Sequence, residues 1–516
     1  MAGRVSIVVL DNGASTVTVP TQNTQLVIGT SSAGTVGAPY ASTSQTNIAT
    51  QFGVGPLVEA AGLIAGVGGV PVCVKATSTT AGAPGAVTTT GAGTSVITVT
   101  GTANDTAEML MTVVTGGTVG TAGWTFTLSY DAGRTVSPLI NPGVATTYAV
   151  PGIGVTLNFA AGTMLAGETA SFGTTEPLWN SAGISAAITA FLASSYAKQG
   201  VGSTHIVGGS TAVNMASGAT GSDMVAIGGS LQSARTNQFS FNRAYISARD
   251  AKFPTTYSGA AETEAAWMTA IQTDYGGQSL NADTTGRLAV CAAYWNIQSV
   301  YQNGLGVAPR FRRSIAYAVA QRQVQIPPQR MPSRVKDGAL SPVVVSPADK
   351  TDGFVYHDES ITPGLDTTKG GSGGNFSTTT TIVGKSGVFL QHANLFSPTG
   401  SGFGYMPQGI VVDIGCSIAY QIGVNNIDDD IRLTTTGGID PRDAVTISQA
   451  ITRAIKANMT DQGMLTANTT NPDGCVVQVD QTVNVGATGN VPIQVSLQRK
   501  GYILTETITV GAAPGT

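Results

Sequence analysis

The segment from Asp440 to Met459 carries the clearest secondary-structure pattern in the chain. Asp440 is a favourable N-cap, Pro441 suits the first helical position, and Asp443 places an acid in the first turn. Apolar residues then recur at helical spacing and form one stripe: Ile447, Ile451, Ala454, Ile455 and Met459. With Gly463 as a C-terminal stop, the pattern predicts an amphipathic helix.

Three strand-like runs follow this helix. Two of them alternate in polarity, from Cys475 to Asp480 and, more cleanly, from Val491 to Gln498; the third, from Tyr502 to Val510, is rich in β-branched residues. The sequence therefore predicts one helix over a small sheet, with the last strand close to the end of the chain. Such a strand is free to pair with a neighbouring molecule. Ser6 to Leu10 is a similar short apolar run near the other end.

Charge is scarce in this chain. Charged residues make up 10% of it, against about 25% in an average protein, whereas its apolar content of 42% is ordinary. Few charges leave little repulsion between copies, so this composition favours a surface that other copies cover. The net charge of −4 gives no reason to expect a nucleic-acid partner. The densest basic group is interpreted as a solvated or ion-paired patch: Arg310, Arg312, Arg313 and Arg322.

Neither a signal peptide nor a membrane span is expected. The N-terminus lacks a charged region followed by a long apolar run, and no stretch approaches the roughly 20 apolar residues of a spanning helix. We therefore expect folding in the cytoplasm. The four cysteines stand far apart in apolar settings: Cys73, Cys291, Cys416 and Cys475. Buried reduced thiols are the favoured interpretation; disulfides formed after release are the alternative, and their pairing stays open.

The predicted fold class is α/β (α+β) multidomain. Strands alternating with helices predict a split α/β core, and a Thr- and Gly-rich run of short strands predicts an inserted all-β domain. The C-terminal helix-plus-sheet domain follows, with strand-exchanging terminal arms. A helix is predicted from Arg312 to Gln325, and the apolar run from Ile410 to Ile422 fits a strand or a helix equally. The predicted divisions are an arm at 1–20, core at 21–76, the insertion at 77–175, core at 176–340, a loop-rich excursion at 341–386, the C-terminal domain at 387–500 and an arm at 501–516.

No catalytic, cofactor or metal site is predicted, and the chain is not expected to be an enzyme. Its three histidines, His205, His357 and His392, have no His or Cys at metal-ligand spacing. The acid–base candidate that stands out is His357-Asp358-Glu359, in a loop where nothing is expected to desolvate it. Asp428 to Asp430 lacks the spacing of a calcium loop and is interpreted as a solvated turn.

Several segments resemble the contractile tail sheath proteins of bacteriophages and related injection machines. Those segments are 52–60 (FGVGPLVEA), 68–72 (GGVPV), 394–398 (NLFSP), and the closing helix with its Gly463-Met464-Leu465 turn and alternating strands. The order also fits: a split α/β core, a variable β-rich insertion and a C-terminal helix-and-strand domain. The resemblance covers about two-thirds of the chain and does not extend to 77–175 or 341–386.

The resemblance implies a mechanical role. Sheath subunits stack as hexameric rings around a tail tube, and contraction drives the tube through the host envelope. Their terminal arms add strands to the C-terminal domain of another copy; here the implied arm residues are Val5, Ile7, Val9, Tyr502, Leu504, Ile508 and Val510. Implied partners are other copies of the chain, the tail tube protein, and the baseplate and tail terminator proteins, without nucleic acid, membrane insertion or a cofactor. The implied location is the virion tail, assembled in the host cytoplasm.

Two other classes of function stay open. A β-rich surface or adhesion protein fits the low-charge segment 77–175, although the long α/β portions argue against it. A polysaccharide-degrading tail enzyme needs paired carboxylates and aromatic platforms, and aromatic residues are only 6% of the chain and do not cluster.

Overall fold

The structure is a computed structural model, and it describes residues 23–210, 223–251, 262–276, 286–302, 304–344, 356–366, 375–397 and 403–504. The described chain forms two compact units, which meet in sequence at Val411 and Val412. We call them the larger unit and the C-terminal unit, and each is described by itself. The mixed helices and sheets confirm the α/β multidomain fold class.

The larger unit begins with the elements of an α/β layer. They are β1 (Thr24–Gly29), β2 (Tyr40–Ala41), α1 (Gln45–Phe52), α2 (Pro56–Gly66) and β3 (Val70–Lys75). Helix α2 continues through a glycine at position 62. This glycine is a close-packing position, because an added Cβ would lie 2.7 Å from the Tyr301 side chain.

The segment between β3 and the next helix contains only strands, as predicted. They are β4 (Ser78–Thr80), β5 (Ala83–Pro84), β6 (Thr88–Thr90), β7 (Ile97–Gly101), β8 (Ala107–Thr115), β9 (Gly117–Thr118), β10 (Thr125–Ser129), β11 (Thr147–Ala149), β12 (Val155–Phe159), β13 (Thr163–Met164), β14 (Thr169–Thr175) and β15 (Leu178–Trp179). Strand β8 buries alternate side chains and pairs antiparallel with β10 and β14. The inserted core is aromatic, with the Trp124 ring 5.0 Å from Phe159 and 5.4 Å from Phe126. Leu305 and Phe311, from outside the insertion, belong to the same apolar cluster.

The α/β layer resumes after the insertion. Its elements are α3 (Ser181–Leu192), α4 (Ser195–Gln199), β16 (Ser203–Ile206), α5 (Asp223–Gln238), β17 (Ala244–Ser247), α6 (Glu264–Gly276), β18 (Leu288–Cys291), β19 (Tyr294–Gln298), β20 (Arg310–Ser314), α7 (Ala316–Gln325), β21 (Thr379–Thr380) and β22 (Phe389–Leu390). Helix α8 (Met406–Val424) follows, and the division between the two units falls within it. Six strands form one sheet in the order β18-β17-β16-β1-β3-β2, parallel except for β2. Both faces of its central strands are buried, and β1 and β3 are accordingly rich in apolar residues. Strand β16 differs, because it buries the polar residues Ser203, Thr204 and His205.

Two predictions of secondary structure are resolved here. The helix expected from Arg312 begins only at Ala316, because Arg312 and Arg313 lie on β20, antiparallel to β19. The basic residues there alternate between faces and find acidic partners that are distant in sequence, which overrides the helical pattern. The ambiguous run from Ile410 to Ile422 lies in α8. In the described part of the chain, none of the helices is both long and apolar enough to cross a membrane.

The C-terminal unit contains the helix and the small sheet that its sequence predicts. Its elements after α8 are α9 (Pro441–Ile455), which continues as a π-helical turn (Lys456–Thr460), then β23 (Cys475–Val479), α10 (Val485–Thr488) and β24 (Ile493–Leu497). Strands β23 and β24 pair antiparallel, with Val477 opposite Val495. Helix α9 packs on β23. A small apolar cluster has three buried residues at its centre, Ile439, Ala444 and Val485, and the N-terminal half of α9 contributes Ala444 to it.

Candidate functional site: a strand-accepting edge

Helix α9 begins where the sequence predicts, directly after the N-cap residue Asp440. The Asp440 side chain accepts a hydrogen bond from the Arg442 amide at 2.9 Å, and Pro441 occupies the first helical position. Hydrogen bonds and ion pairing with Arg442 lower the pKa of the Asp440 carboxyl to about 2, so the cap is charged at neutral pH. Ile451 and Ile455 are buried on the face that the apolar spacing predicts.

The hairpin of β23 and β24 has one apolar face. Because opposite residues of an antiparallel pair point to the same side, six apolar side chains share that face: Cys475, Val477, Val479, Ile493, Val495 and Leu497. On β23 this face includes the buried Cys475, but on β24 all three apolar side chains are only half-buried. The apolar surface of this sheet is thus incompletely covered at β24.

The outer edges of the hairpin follow from its hydrogen-bond register. The Asp480 amide donates to the Pro492 carbonyl at 2.9 Å, and the Gln498 amide donates to the Gly474 carbonyl at 2.8 Å. Since hydrogen-bonded pairs alternate along an antiparallel ladder, the backbone groups of Ile493, Val495 and Leu497 point away from β23. Within the described residues the named strands of this sheet are two, and no strand pairs with this edge along Ile493–Leu497. Just beyond the end of β24, Leu465 forms an antiparallel bridge with Arg499.

A groove lies beside the hairpin on the α9 side. Its volume is about 680 Å³, and Ala444, Val445 and Ser448 form its helical wall. The opposite wall runs from Val477 to Thr482 and includes Pro492 to Gln494. Val445 is 49% exposed although it is apolar. A two-stranded sheet is marginally stable by itself, and this hairpin presents a groove of mixed polarity together with backbone groups that an added strand would satisfy.

The predicted arm residues fall mostly outside the described part of the chain. Val5, Ile7, Val9, Ile508 and Val510 all lie outside it. Tyr502 and Leu504 are described, and neither lies in a strand. Burial raises the pKa of the Tyr502 phenol to about 12, whereas Leu504 is 51% exposed. A strand that pairs only with another molecule has no partner in a single chain, so the arm assignment stays a prediction.

All four cysteines lie in the described part of the chain, and no disulfide joins them there. Cys73, Cys291 and Cys475 are buried, and Cys416 is half-buried. Burial raises the pKa of the Cys73 and Cys291 thiols, which keeps them protonated and unreactive at neutral pH. Within the single chain this agrees with the interpretation as small buried hydrophobes.

The interpretation of His357 as a group with nothing to desolvate it was wrong. Its side chain is fully buried, and its two ring nitrogens lie 2.8 Å from Glu264 and 2.8 Å from Glu359. Burial opposes the charged imidazole, but the hydrogen bonds that its N–H groups donate to these carboxylates raise the pKa of His357. Glu359 also accepts the Gly364, Leu365 and Asp366 amides. His357 thus connects the 356–366 loop to Glu264 of helix α6. Such a contact between distant parts of the chain cannot be predicted from the spacing of apolar residues.

The other histidines and acids are accounted for by packing. His205 lies in the central sheet, stacked 5.3 Å from the Tyr245 ring, and burial lowers its pKa to about 3. The His392 ring contacts Asp366 at 2.5 Å. Asp428 to Asp430 are exposed, as a solvated turn requires. Among the described residues, no group of three or more His, Cys, Asp or Glu side chains is arranged to hold a metal ion.

Comparison with known proteins gives structural matches only. No family model matches the sequence, and no curated protein matches it. The fold is similar to a sheath tail protein from Listeria innocua, with 10% identity, 92% of this chain and 94% of that chain covered, and a TM-score of 0.39. It is also similar to a sheath tail protein from Desulfitobacterium hafniense, with 9% identity, 96% and 100% covered, and a TM-score of 0.38.

A third match is a chain from the anti-feeding prophage baseplate. It has 12% identity and a TM-score of 0.34, and covers 56% of this chain. The match spans 65% of the baseplate chain, just under two-thirds of its length. These three matched structures are thus two sheath tail proteins and one baseplate chain.

Proposed function

We propose that this chain is the structural subunit of a contractile tail sheath, joined to neighbouring copies by strand addition. In this proposal a terminal arm of one copy pairs with the outer edge of β24 or β23 in another copy. Subunits stack as hexameric rings around a tail tube, and contraction of the cylinder drives the tube through the host envelope. The role is mechanical rather than enzymatic, and it needs no cofactor.

The observation that carries the proposal is the free edge of β24. The backbone groups of Ile493, Val495 and Leu497 point outward, and the apolar side chains of the same residues are only half-covered. An incoming strand would satisfy the backbone groups and bury the side chains in one event. The segments at 5–9 and 502–510 have the β-branched composition that such a strand needs.

The sparse charge supports association through broad surfaces. With charged residues at 10% of the chain, little desolvation penalty opposes contact between copies. The proposed partners beyond the chain itself are the tail tube protein and the baseplate and tail terminator proteins. The proposed location is the tail of a virion, assembled in the host cytoplasm.

A proline at position 495 tests the strand-accepting edge. Val495→Pro removes an amide that points outward, so it spares the bonds between β23 and β24 while blocking an added strand. We expect a folded protein that does not form cylinders in negative-stain electron microscopy, whereas Val495→Ala, which keeps the amide, still assembles. Ser496→Pro is the inward control, since it removes an amide that faces β23 and should destabilise the unit itself.

The assembly assay begins with the unmodified protein at high concentration. Hollow, ringed cylinders of uniform width are expected, with purified tube protein added as a template if the chain alone stays monomeric. Cylinders of normal length from Val495→Pro would contradict the β24 edge as the acceptor. Monomers of the unmodified protein, with and without tube protein, would contradict the sheath proposal.

A further inference from the structure

A cavity of about 170 Å³ lies in the larger unit, between the inserted strands and the α/β layer. The sheet contributes residues directly after two parallel strands: 208–210 after β16 and 248–250 after β17. In an α/β sheet the carboxyl ends of parallel strands are where ligand sites form. The insertion at 77–175 contributes Glu108 and Asp131 to the lining, and Glu176 follows directly after it. The cavity therefore has the position of a binding site and walls from two parts of the chain.

Charge is concentrated around this cavity although it is rare elsewhere in the chain. Each of the three arginines that line it already has a carboxylate partner. Arg249 pairs with Glu262 at 2.7 Å, Arg312 with Asp250 at 2.7 Å, and Arg313 with Asp105 at 2.5 Å.

Carboxylates outnumber guanidinium groups here. The acids that line the cavity or pair with its arginines are Asp105, Glu108, Asp131, Glu176, Asp250 and Glu262. The matching cations are the three lining arginines and Arg134, which lies 4.0 Å from Glu108. A surplus of negative charge away from water is costly unless a proton or another cation offsets it.

Two residues of the lining also have polar atoms without a hydrogen-bond partner. One carboxylate oxygen of Asp131, Oδ2, and the Ser247 hydroxyl are both buried and unpartnered. Asp131 is 3% exposed and Ser247 is 6% exposed. Unsatisfied buried acceptors are rare in folded proteins because they forfeit their hydration. Asp131 lies in the insertion and Ser247 at the end of β17, so each of the two parts of the chain that line the cavity contributes an unpartnered polar atom.

The pKa of the Glu176 carboxyl is raised in this environment. Burial raises its pKa to about 7, against the opposing attraction of Arg313 at 3.5 Å, and the neighbouring Asp105 raises it further. The Gly209 amide favours its ionised form, and Asp250 opposes it. Near neutral pH this carboxyl is thus divided between protonated and charged forms, and a cation that binds beside it would displace the proton.

We propose that this cavity binds a small organic cation that carries primary ammonium groups. An ammonium group has three donors and one positive charge, which match the spare carboxylate acceptors and the surplus of negative charge. The volume accommodates a ligand of about six to ten non-hydrogen atoms, by comparison with the space that ordered waters occupy. Bound there, the cation would bridge the inserted strands and the α/β layer and stabilise their contact.

Isothermal titration calorimetry of the full-length protein with 1,4-diaminobutane tests the proposal at matched ionic strength. We expect saturable binding with one site per chain. Succinate, a dianion of the same chain length, should not bind. Glu176→Gln removes a charge while keeping the shape, and it should weaken diamine binding at least tenfold. Asp428→Asn, which removes an exposed acid in the C-terminal unit, should leave binding unchanged.

The pH dependence provides a test that does not depend on a variant. The diamine stays charged between pH 6 and pH 8, whereas Glu176 loses its proton over this range, so binding should tighten as the pH rises and release protons at pH 6. Absence of saturable diamine binding to the unmodified protein would overturn the proposal. So would equal affinities at pH 6 and pH 8, equal binding of succinate, or unchanged affinity in a folded Glu176→Gln variant.

Discussion

Arg313 on β20 and Asp105 in the insertion form a buried, bidentate ion pair across 208 residues of sequence, with both N···O distances at 2.5 Å. Their side chains are only 4% and 3% exposed. The pair lies next to Phe311, which belongs to the aromatic cluster of the insertion. The inserted strands are therefore joined to the α/β layer by both an apolar contact and a buried charge pair. Excision of the insertion would expose Phe311 and leave Arg313 without its main partner.

Loss of Asp105 should strongly destabilise the larger unit. Asp105→Ala leaves the Arg313 guanidinium buried without its bidentate partner, and breaking such a pair costs about 3–5 kcal/mol. We expect differential scanning calorimetry to show a clear fall in the melting temperature. The double variant Asp105→Leu/Arg313→Leu should recover much of that loss, because it removes both charges together. Asp473→Ala, which breaks an exposed pair with Lys456, is the control and should not shift the transition.

The His357 cluster should make the 356–366 loop sensitive to pH. Burial opposes charge on the imidazole, but Glu264 and Glu359 raise its folded-state pKa above the ordinary value of about 6.5. A raised pKa adds stability below the unfolded value, and that stability is lost as the pH rises through the folded value. As the pH rises through the folded-state pKa of His357, the Gly364, Leu365 and Asp366 amides should lose protection. Their hydrogen exchange should then accelerate more than the intrinsic, base-catalysed exchange rate does. In His357→Gln this extra acceleration should disappear; its persistence would assign the effect to another group.

Two glycine-to-alanine changes in helices should have opposite signs. At Gly62 in α2 an added Cβ would lie 2.7 Å from both Tyr301 and Val300, so overpacking should cost about 1–3 kcal/mol. At Gly229 in α5 the added Cβ meets nothing within 4 Å, so the better helix former should stabilise the fold by up to about 1 kcal/mol. Thermal denaturation of the two variants measures this. A neutral Gly62→Ala would contradict the close contact between α2 and Tyr301.

Deletion of residues 503–516 should separate folding from assembly. The described hairpin ends at Leu497, so the truncated chain should keep its circular dichroism spectrum and remain soluble. Without the C-terminal arm it should fail to polymerise. Cylinders of full length from this truncated chain would show that the C-terminal arm is not the donated strand.

The two cysteines of the central sheet should react only after unfolding. Cys73 and Cys291 are fully buried, and burial raises the pKa of both thiols. We expect neither to react with a thiol-specific reagent in the native protein at pH 8, whereas both should react in guanidinium chloride. Mass spectrometry of the labelled peptides identifies the sites. Rapid native labelling, or a disulfide in assembled particles involving either residue, would contradict their interpretation as inert core residues.

Local signals predicted the C-terminal unit well. The Asp440 cap, the Pro441 start and the buried Ile451 and Ile455 appear where the sequence pattern places them, and the β23–β24 hairpin has the predicted alternation. These features depend on residues within one helical turn or one pair of strands, so the spacing of apolar and polar residues is sufficient to predict them. The all-strand character of the insertion was predicted for the same reason.

Residue patterns were therefore sufficient to predict the fold class, the amphipathic helix and the alternating strands, and the composition shows that charge is scarce. The positions of the few charges, in contrast, became known from the folded chain. Arg313 pairs with Asp105, and Arg312 pairs with Asp250. Both arginines lie in strand β20 and not in the helix that local spacing predicted. The physical reason is that a buried charge is stable only beside its partner, and the chain brings these partners together from positions that no local period connects.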